Sequence, residues 1–210
     1  MEKHIIIAIS RQYGSGGKEI AEIVAKKMNV RCYDRQILYL AAEKMGETEL
    51  DADTIIREAY QRPDFKLGSL GEYGFEAIPY YNKKFREQAR VIREIAEKES
   101  AVFLGRCADA VLDGIQNHYS FFIYADEEFR RQRAQTHYEH KTLKDMERED
   151  KTRERYYNYY TGKKWGDPLN YDLMINTSKI NLNEAAELII DYIDKKTSKE
   201  EKINEGERKI

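Results

Sequence analysis

Short apolar runs and stripes of helical period alternate along the chain. Ile5–Ser10 is an apolar run of the kind buried on both faces of a parallel sheet. From Lys18 onward, Ile20, Ala21, Ile23 and Val24 share one face of a helix running to about Met28. A short strand at Val30–Tyr33 precedes a helix carrying Ile37, Leu38, Leu40 and Ala41, with Gly46 placed as a helix C-terminal glycine. Asp51–Tyr60 predicts another helix, whereas Arg62–Tyr81 holds two of the three prolines and predicts irregular structure. Phe85, Ala89, Ile92 and Ile95 or Ala96 mark the buried stripe of a helix over Lys83–Lys98.

The second half repeats the alternation. Strands are expected at Ala101–Leu104, Tyr119–Tyr124 and Leu173–Ile175. Between and after them lie a short helix with Ala108, Val111 and Leu112, a helix Glu127–Glu139 capped by Asp126, a charged, tyrosine-rich helix Leu143–Tyr160, and a last amphipathic helix Asn183–Ile193. Lys195–Ile210 is nearly all polar and is expected to be a frayed or disordered tail. Strands separated by helices imply an α/β fold with a parallel sheet covered on both faces.

At 210 residues, 41% apolar and 35% charged, the chain is long enough for a real hydrophobic interior. A net charge of −2 gives no overall electrostatic reason to bind nucleic acid or an anionic membrane. Membrane-spanning runs and a signal-peptide pattern are both missing, so the expected location is cytoplasmic. Cys32 and Cys107 suggest neither a disulfide framework nor a zinc site.

The densest chemical signal is Ile5–Glu22, IIIAISRQYGSGGKEIAE, where a strand breaks into glycines and then a helix. Gly14, Ser15, Gly16 and Gly17 can aim several backbone N–H groups at one point, and the helix N-terminus adds partial positive charge. Lys18 is placed to reach the outer phosphates of a nucleotide. The pattern G-x-x-x-x-G-K-[ST] puts Gln12 at its first glycine and Glu19 at its hydroxyl, which removes the usual side-chain ligand for Mg²⁺. A plain glycine turn before an ordinary helix is the alternative.

Arg106 follows a buried-type strand through Gly105, where α/β sheets place ligands, and could clamp a phosphate or pair with a nearby acid. Asp34, beside Arg35, ends the second strand and could accept a substrate proton or cap the next helix. Arg148, Lys151 and Arg155 fall at i, i+3 and i+7, one helical face, which could close over a triphosphate. Interleaved tyrosines at 156, 157, 159 and 160 also suit single-stranded RNA, although Glu147, Glu149, Asp150 and Glu154 argue for a neutralised, solvated face. His4, His118, His137 and His140 form no catalytic set.

With these segments in order, the chain resembles the cytidylate kinase-like family within the P-loop nucleoside monophosphate kinases. The carrying segments are ISRQYGSGGKEIA at 9–21, YDRQIL at 33–38, FLGRCAD at 103–109 and the span 148–177, in which RYYNYYTGKKWGDPLNYDLMINTS is distinctive. The resemblance implies a five-stranded parallel sheet flanked by helices in one kinase domain over 1–195, followed by a tail at 196–210. It also implies a helical monophosphate-binding insertion at about 41–90 and a lid at about 142–165. It implies ATP and Mg²⁺ as cofactors, small-molecule nucleotides as partners, and CMP or dCMP as acceptor.

By that resemblance Gly14, Ser15, Gly16, Gly17, Lys18 and Glu19 line the donor phosphates, and Asp34 and Arg35 lie at the acceptor. Arg106 contacts the acceptor phosphate, and Arg148 and Arg155 are the lid arginines, so that Lys18, Arg106, Arg148 and Arg155 carry catalysis. The chain departs from cytidylate kinases at Cys107, Leu40 and Thr152, which replace an acid, an arginine and an aspartate. A nucleotide-binding regulatory module, or a kinase for a different small acceptor, is the alternative reading.

Overall fold

β1 (Ile6–Arg11) lies at the centre of a five-stranded, wholly parallel sheet of order β2-β3-β1-β4-β5. The remaining strands are β2 (Arg31–Tyr33), β3 (Ala101–Leu104), β4 (His118–Tyr124) and β5 (Leu173–Asn176). The computed structural model describes residues 4–47, 51, 54–55, 77–137 and 141–207. Helices are α1 (Gly17–Lys27), α2 (Gln36–Lys44), α3 (Ala77–Lys98), α4 (Ala108–Val111), α5 (Glu127–His137), α6 (Leu143–Thr161) and α7 (Leu182–Glu207).

The alternation of β1 divides the core. Ile6 and Ala8 face α2, α3 and α6 through Ile37, Ala41, Ala89, Ile92, Tyr156 and Tyr157, with Phe103 of β3. Ile7 and Ile9 face α1 and α7 through Ile20, Val24, Ala186, Ile189 and Ile193. A strand apolar on both sides therefore buries both sides, which is why no polar period shows in its sequence. Among the described residues no helix is long and apolar enough to cross a membrane.

Two expectations change. α3 begins at Ala77, inside the stretch expected to be irregular. Pro79 sits in its first turn, where a backbone N–H has no helical partner to lose. The remainder of that stretch and most of the helix expected at Asp51–Tyr60 lie outside the described residues. Of the described residues in that span, Asp51 accepts from Thr54 N–H at 2.8 Å.

The last helix passes Ile193 and continues to Glu207, through the segment expected to be disordered. Its extension is anchored at Thr197, 3.2 Å from the phenol of Tyr119 on β4, and by Lys196 over the Tyr192 ring. Asp191 with Lys195 places opposite charges one turn apart, which supports a polar helix that composition alone reads as loose.

Candidate active site

The sheet register brings the carboxyl ends of the strands to one edge. Tyr33 stands opposite Phe103, Ala8 opposite Phe103, and Arg11 opposite Ile123, so the residues after each strand converge. The loop Gln12–Gly16 leaves β1 there and enters α1 at Gly17. Gly14 and Gly16 both hold φ near +80°, the left-handed region in which glycine costs least. Gln12 needs no such freedom. Its N–H donates to Ile123 O at 2.9 Å and its side-chain oxygen accepts from Ala125 N–H at 3.2 Å. That is the physical reason the first glycine of the pattern can be absent.

The loop is seated from below and behind. Ser15 is fully buried; its hydroxyl donates to Gln12 O at 2.9 Å, and its carbonyl accepts from Thr177 Oγ1 at 2.7 Å. No side chain caps α1 at Gly16, which leaves the first-turn amides of the helix for an anion. Such uncapped amides suit phosphate oxygens. Lys18 lies along its own helix, 62% exposed and 3.8 Å from Glu22. Glu19 forms an ion pair with Arg133 of α5, whose guanidinium also approaches the Phe129 ring. Among the described residues no group of three His, Cys, Asp or Glu side chains could hold a metal.

At the edge formed by the ends of β2 and β3, Arg11 bridges three strands. A Cβ on Gly105 would come within 2.2 Å of Arg11 Nη1, so the guanidinium lies directly over that glycine. Its other nitrogen is 3.8 Å from Asp34 Oδ1. Asp34 does not cap α2, contrary to the local expectation. The cap is Arg35, exposed and without a side-chain cap bond, because the Asp34 carboxylate turns inward to Arg11. Arg106 is buried, and it follows Gly105 and precedes Cys107 with all three at positive φ, +73°, +59° and +55°. Two consecutive non-glycine residues in that region are strained by about 1 kcal/mol each.

α6 presents a different face to the loop from the one its cation spacing suggests. Met146, Asp150, Arg153 and Tyr157, at i, i+4, i+7 and i+11, point inward. Asp150 Oδ1 accepts from Tyr13 N–H at 2.7 Å, and its other oxygen meets Arg130 of α5 at 2.5 Å. Arg130 donates to Tyr13 O at 2.7 Å, and Arg153 donates to Arg11 O at 3.0 Å. Burial holds the Asp150 carboxyl above its ordinary value, with Tyr13 N–H, Arg130 and Arg153 pulling the other way. Arg148, 76% exposed, pairs with Asp145 at 3.0 Å, and Lys151 and Arg155 are exposed too. The structure thus brings Arg11, Arg130 and Arg153 to the loop and leaves Arg148 and Arg155 in solvent.

A signal for this was present. Met146 and Tyr157 are the apolar members of the inward stripe and both are buried, whereas the face of Arg148 and Arg155 carries only Tyr159, 38% exposed. Three of the four tyrosines are engaged within the fold: Tyr156 and Tyr157 are buried and Tyr160 stacks on Phe85 at 4.3 Å, while Tyr159 is 38% exposed, so the RNA reading loses three of its four stacking rings. A separate groove of about 710 Å³ runs between α3, α4 and the end of α6, and none of the loop residues lines it.

The model of the family described as cytidylate kinase-like matches residues 6–179, the span that contains the sheet, the loop and α6. The chain belongs to the cytidylate kinase-like family. Its structure superposes on an uncharacterized protein from Eubacterium ventriosum with a TM-score of 0.67 at 29% identity, covering 91% of this chain and 99% of that one. Shikimate kinase from Bacteroides thetaiotaomicron shares the fold at 12% identity and a TM-score of 0.54, over 90% of this chain and 98% of that one. So does the Mycobacterium tuberculosis APS kinase solved with AMPPNP and APS, at 15% identity and 0.50, over 91% and 98%. No curated protein sequence matches the chain. Family and fold together mark a P-loop, nucleotide-binding, kinase-like phosphotransferase.

Proposed function

We propose that this protein transfers the γ-phosphoryl group of ATP to a nucleoside monophosphate, with CMP or dCMP as the first assignment. The observation that carries the reading is the meeting of donor cradle and acceptor edge at Arg11. Gly14–Gly17 follow it in the chain, while its guanidinium spans Gly105 and Asp34. The amides of Gly14, Ser15, Gly16, Gly17, Lys18 and Glu19 hold the donor phosphates. Asp34, Arg35 and Arg106 take the acceptor. The insertion at about 41–90 and the lid at about 142–165 complete the domain.

Phosphoryl transfer needs positioning and charge stabilisation more than covalent chemistry. Lys18 swings from Glu22 onto the transferred group, and Arg153 and Arg130 border it from the lid side. Magnesium supplies charge neutralisation on the donor phosphates when bound. Arg148 and Arg155 join only if α6 rotates about its axis. Support for a small phosphorylated or hydroxylated acceptor comes from family membership and from the fold shared with kinases of such acceptors.

A coupled assay of ATP against all common nucleoside monophosphates, read for diphosphate product, tests this. CMP or dCMP turnover that Lys18→Ala abolishes with the fold intact is the expected result; absence of product with every monophosphate rejects it. The engagement of Glu19 by Arg133 and of Lys18 by Glu22 favours one second reading, a nucleotide-binding module without useful turnover. ATP binding by calorimetry without any diphosphate product would select it.

A further inference from the structure

Tyr13, the residue between Gln12 and Gly14, is held on every polar side by residues far along the chain. Its N–H donates to Asp150 and its carbonyl accepts from Arg130, each at 2.7 Å. Its ring is approached by Lys141 Nζ at 4.9 Å and by the Arg153 guanidinium at 5.3 Å. Arg153 in turn reaches Arg11 O at 3.0 Å and stands 3.8 Å from Asp150. One carboxylate is therefore common to the backbone of the donor loop and to both arginines beside it.

The side chains of Arg130, Asp150 and Arg153 are 9%, 13% and 16% exposed, so these charges are largely out of water. Two guanidinium groups at that depth repel unless an anion lies between them, and an uncompensated buried charge is strongly destabilising. The Asp150 carboxylate supplies that anion with one oxygen on Arg130 and the other on Tyr13 N–H. Below it, Met146 of the same helix packs under the loop, 3.0 Å from where a Cβ on Gly14 would stand. The loop can shift only by breaking this set of contacts together.

We propose that Asp150 is the positioning residue of the donor loop: it fixes the Tyr13 peptide and aims Arg130 and Arg153 at the anion cradle without touching substrate itself. The kinetic part of the proposal rests on the phosphoryl-transfer reading; the conformational part does not. Asp150 is a different residue from the cations to which catalysis is assigned, and it acts through two of the residues that border the cradle.

The test compares Asp150→Asn, which keeps an acceptor for Tyr13 N–H but loses the charge, with Asp150→Ala, which loses both. Hydrogen exchange of the ligand-free protein reads residues 11–17 directly. About tenfold faster exchange there in Asp150→Ala, with β4 and β5 unchanged, is expected; unchanged loop exchange overturns the proposal whether or not the protein is a kinase. If Asp150→Ala does not fold, Asp150→Asn decides by AMPPNP titration. Affinity about tenfold weaker is expected, and affinity equal to or tighter than wild type overturns it, since that would make Asp150 a competitor of phosphate. With a turnover assay in hand, kcat drops about tenfold in Asp150→Asn while the acceptor KM holds, and Asp150→Glu recovers part of the loss. General destabilisation does not produce that split.

Discussion

The phenol of Tyr157 donates a 2.6 Å hydrogen bond to Asp109 Oδ2, tying the inward stripe of α6 to the first turn of α4. Both side chains are buried, and the second carboxylate oxygen of Asp109 has no hydrogen-bond partner among the described residues. Removing the phenol strips this buried carboxylate of the one side-chain hydrogen bond it has among the described residues. Tyr157→Phe should therefore cost about 2 kcal/mol, more than an average neutral hydrogen bond. Urea denaturation checks this; a loss near zero would mean the bond contributes nothing.

The same pair predicts a pH dependence. Burial holds the Asp109 carboxyl above an ordinary value near 3.8, with the Tyr157 bond and Lys163 pulling downward. The folded state therefore binds this proton more tightly than the unfolded chain. Its contribution to stability is complete below the unfolded value and is lost as pH rises through the folded one. Asp109→Asn removes that titration. Its melting temperature relative to wild type should be most favourable at pH 7–8 and least so near pH 4. Thermal melts across that range decide, and a difference independent of pH rejects the assignment.

Much of this was legible in the chain. The central strands β1, β3 and β4, and the loop with its flanking helix, appear as apolar runs and glycines, because a doubly buried strand and a positive-φ turn leave composition little freedom. Asp34, Arg106 and the loop residues lie together at one sheet edge for the same reason: they sit directly after strands, where position in sequence fixes position in space. Arg11, Arg130 and Asp150 were not singled out. Their roles depend on which face of α5 and α6 meets the loop, and cation spacing pointed to Arg148 and Arg155 instead. Asp34 shows the same limit, since local capping preference lost to an arginine from another strand. The helical extension to Glu207 was hidden because part of its support comes from Tyr119 on β4.

The turn after β3 makes a separable prediction. Arg106 stands at φ +59° between Gly105 and Cys107, so its guanidinium and its backbone strain reside in one residue. Arg106→Ala removes the guanidinium and keeps the strain, whereas Arg106→Gly removes both. The glycine variant should be more stable than the alanine variant by about 1 kcal/mol, the cost of holding a Cβ in the left-handed region. Both should lose phosphoryl transfer equally if the guanidinium serves the acceptor. Equal stability of the two variants would show that the turn relaxes.

The arginines of α6 provide the sharpest comparison between the spacing of the sequence and the packing of the fold. Arg153 donates to Arg11 O and sits 16% exposed beside the loop, while Arg148 is 76% exposed and pairs with Asp145 on its own helix. If this packing is the one used in turnover, Arg153→Ala should lower kcat about 100-fold, the scale of losing one preorganised donor at developing charge. Arg148→Ala and Arg155→Ala should each change it by less than about threefold, as expected for solvated cations. The reverse order would mean that α6 rotates when nucleotide binds. In that case Arg148 and Arg155 swing inward, and the contact from Arg153 to Arg11 marks the resting state.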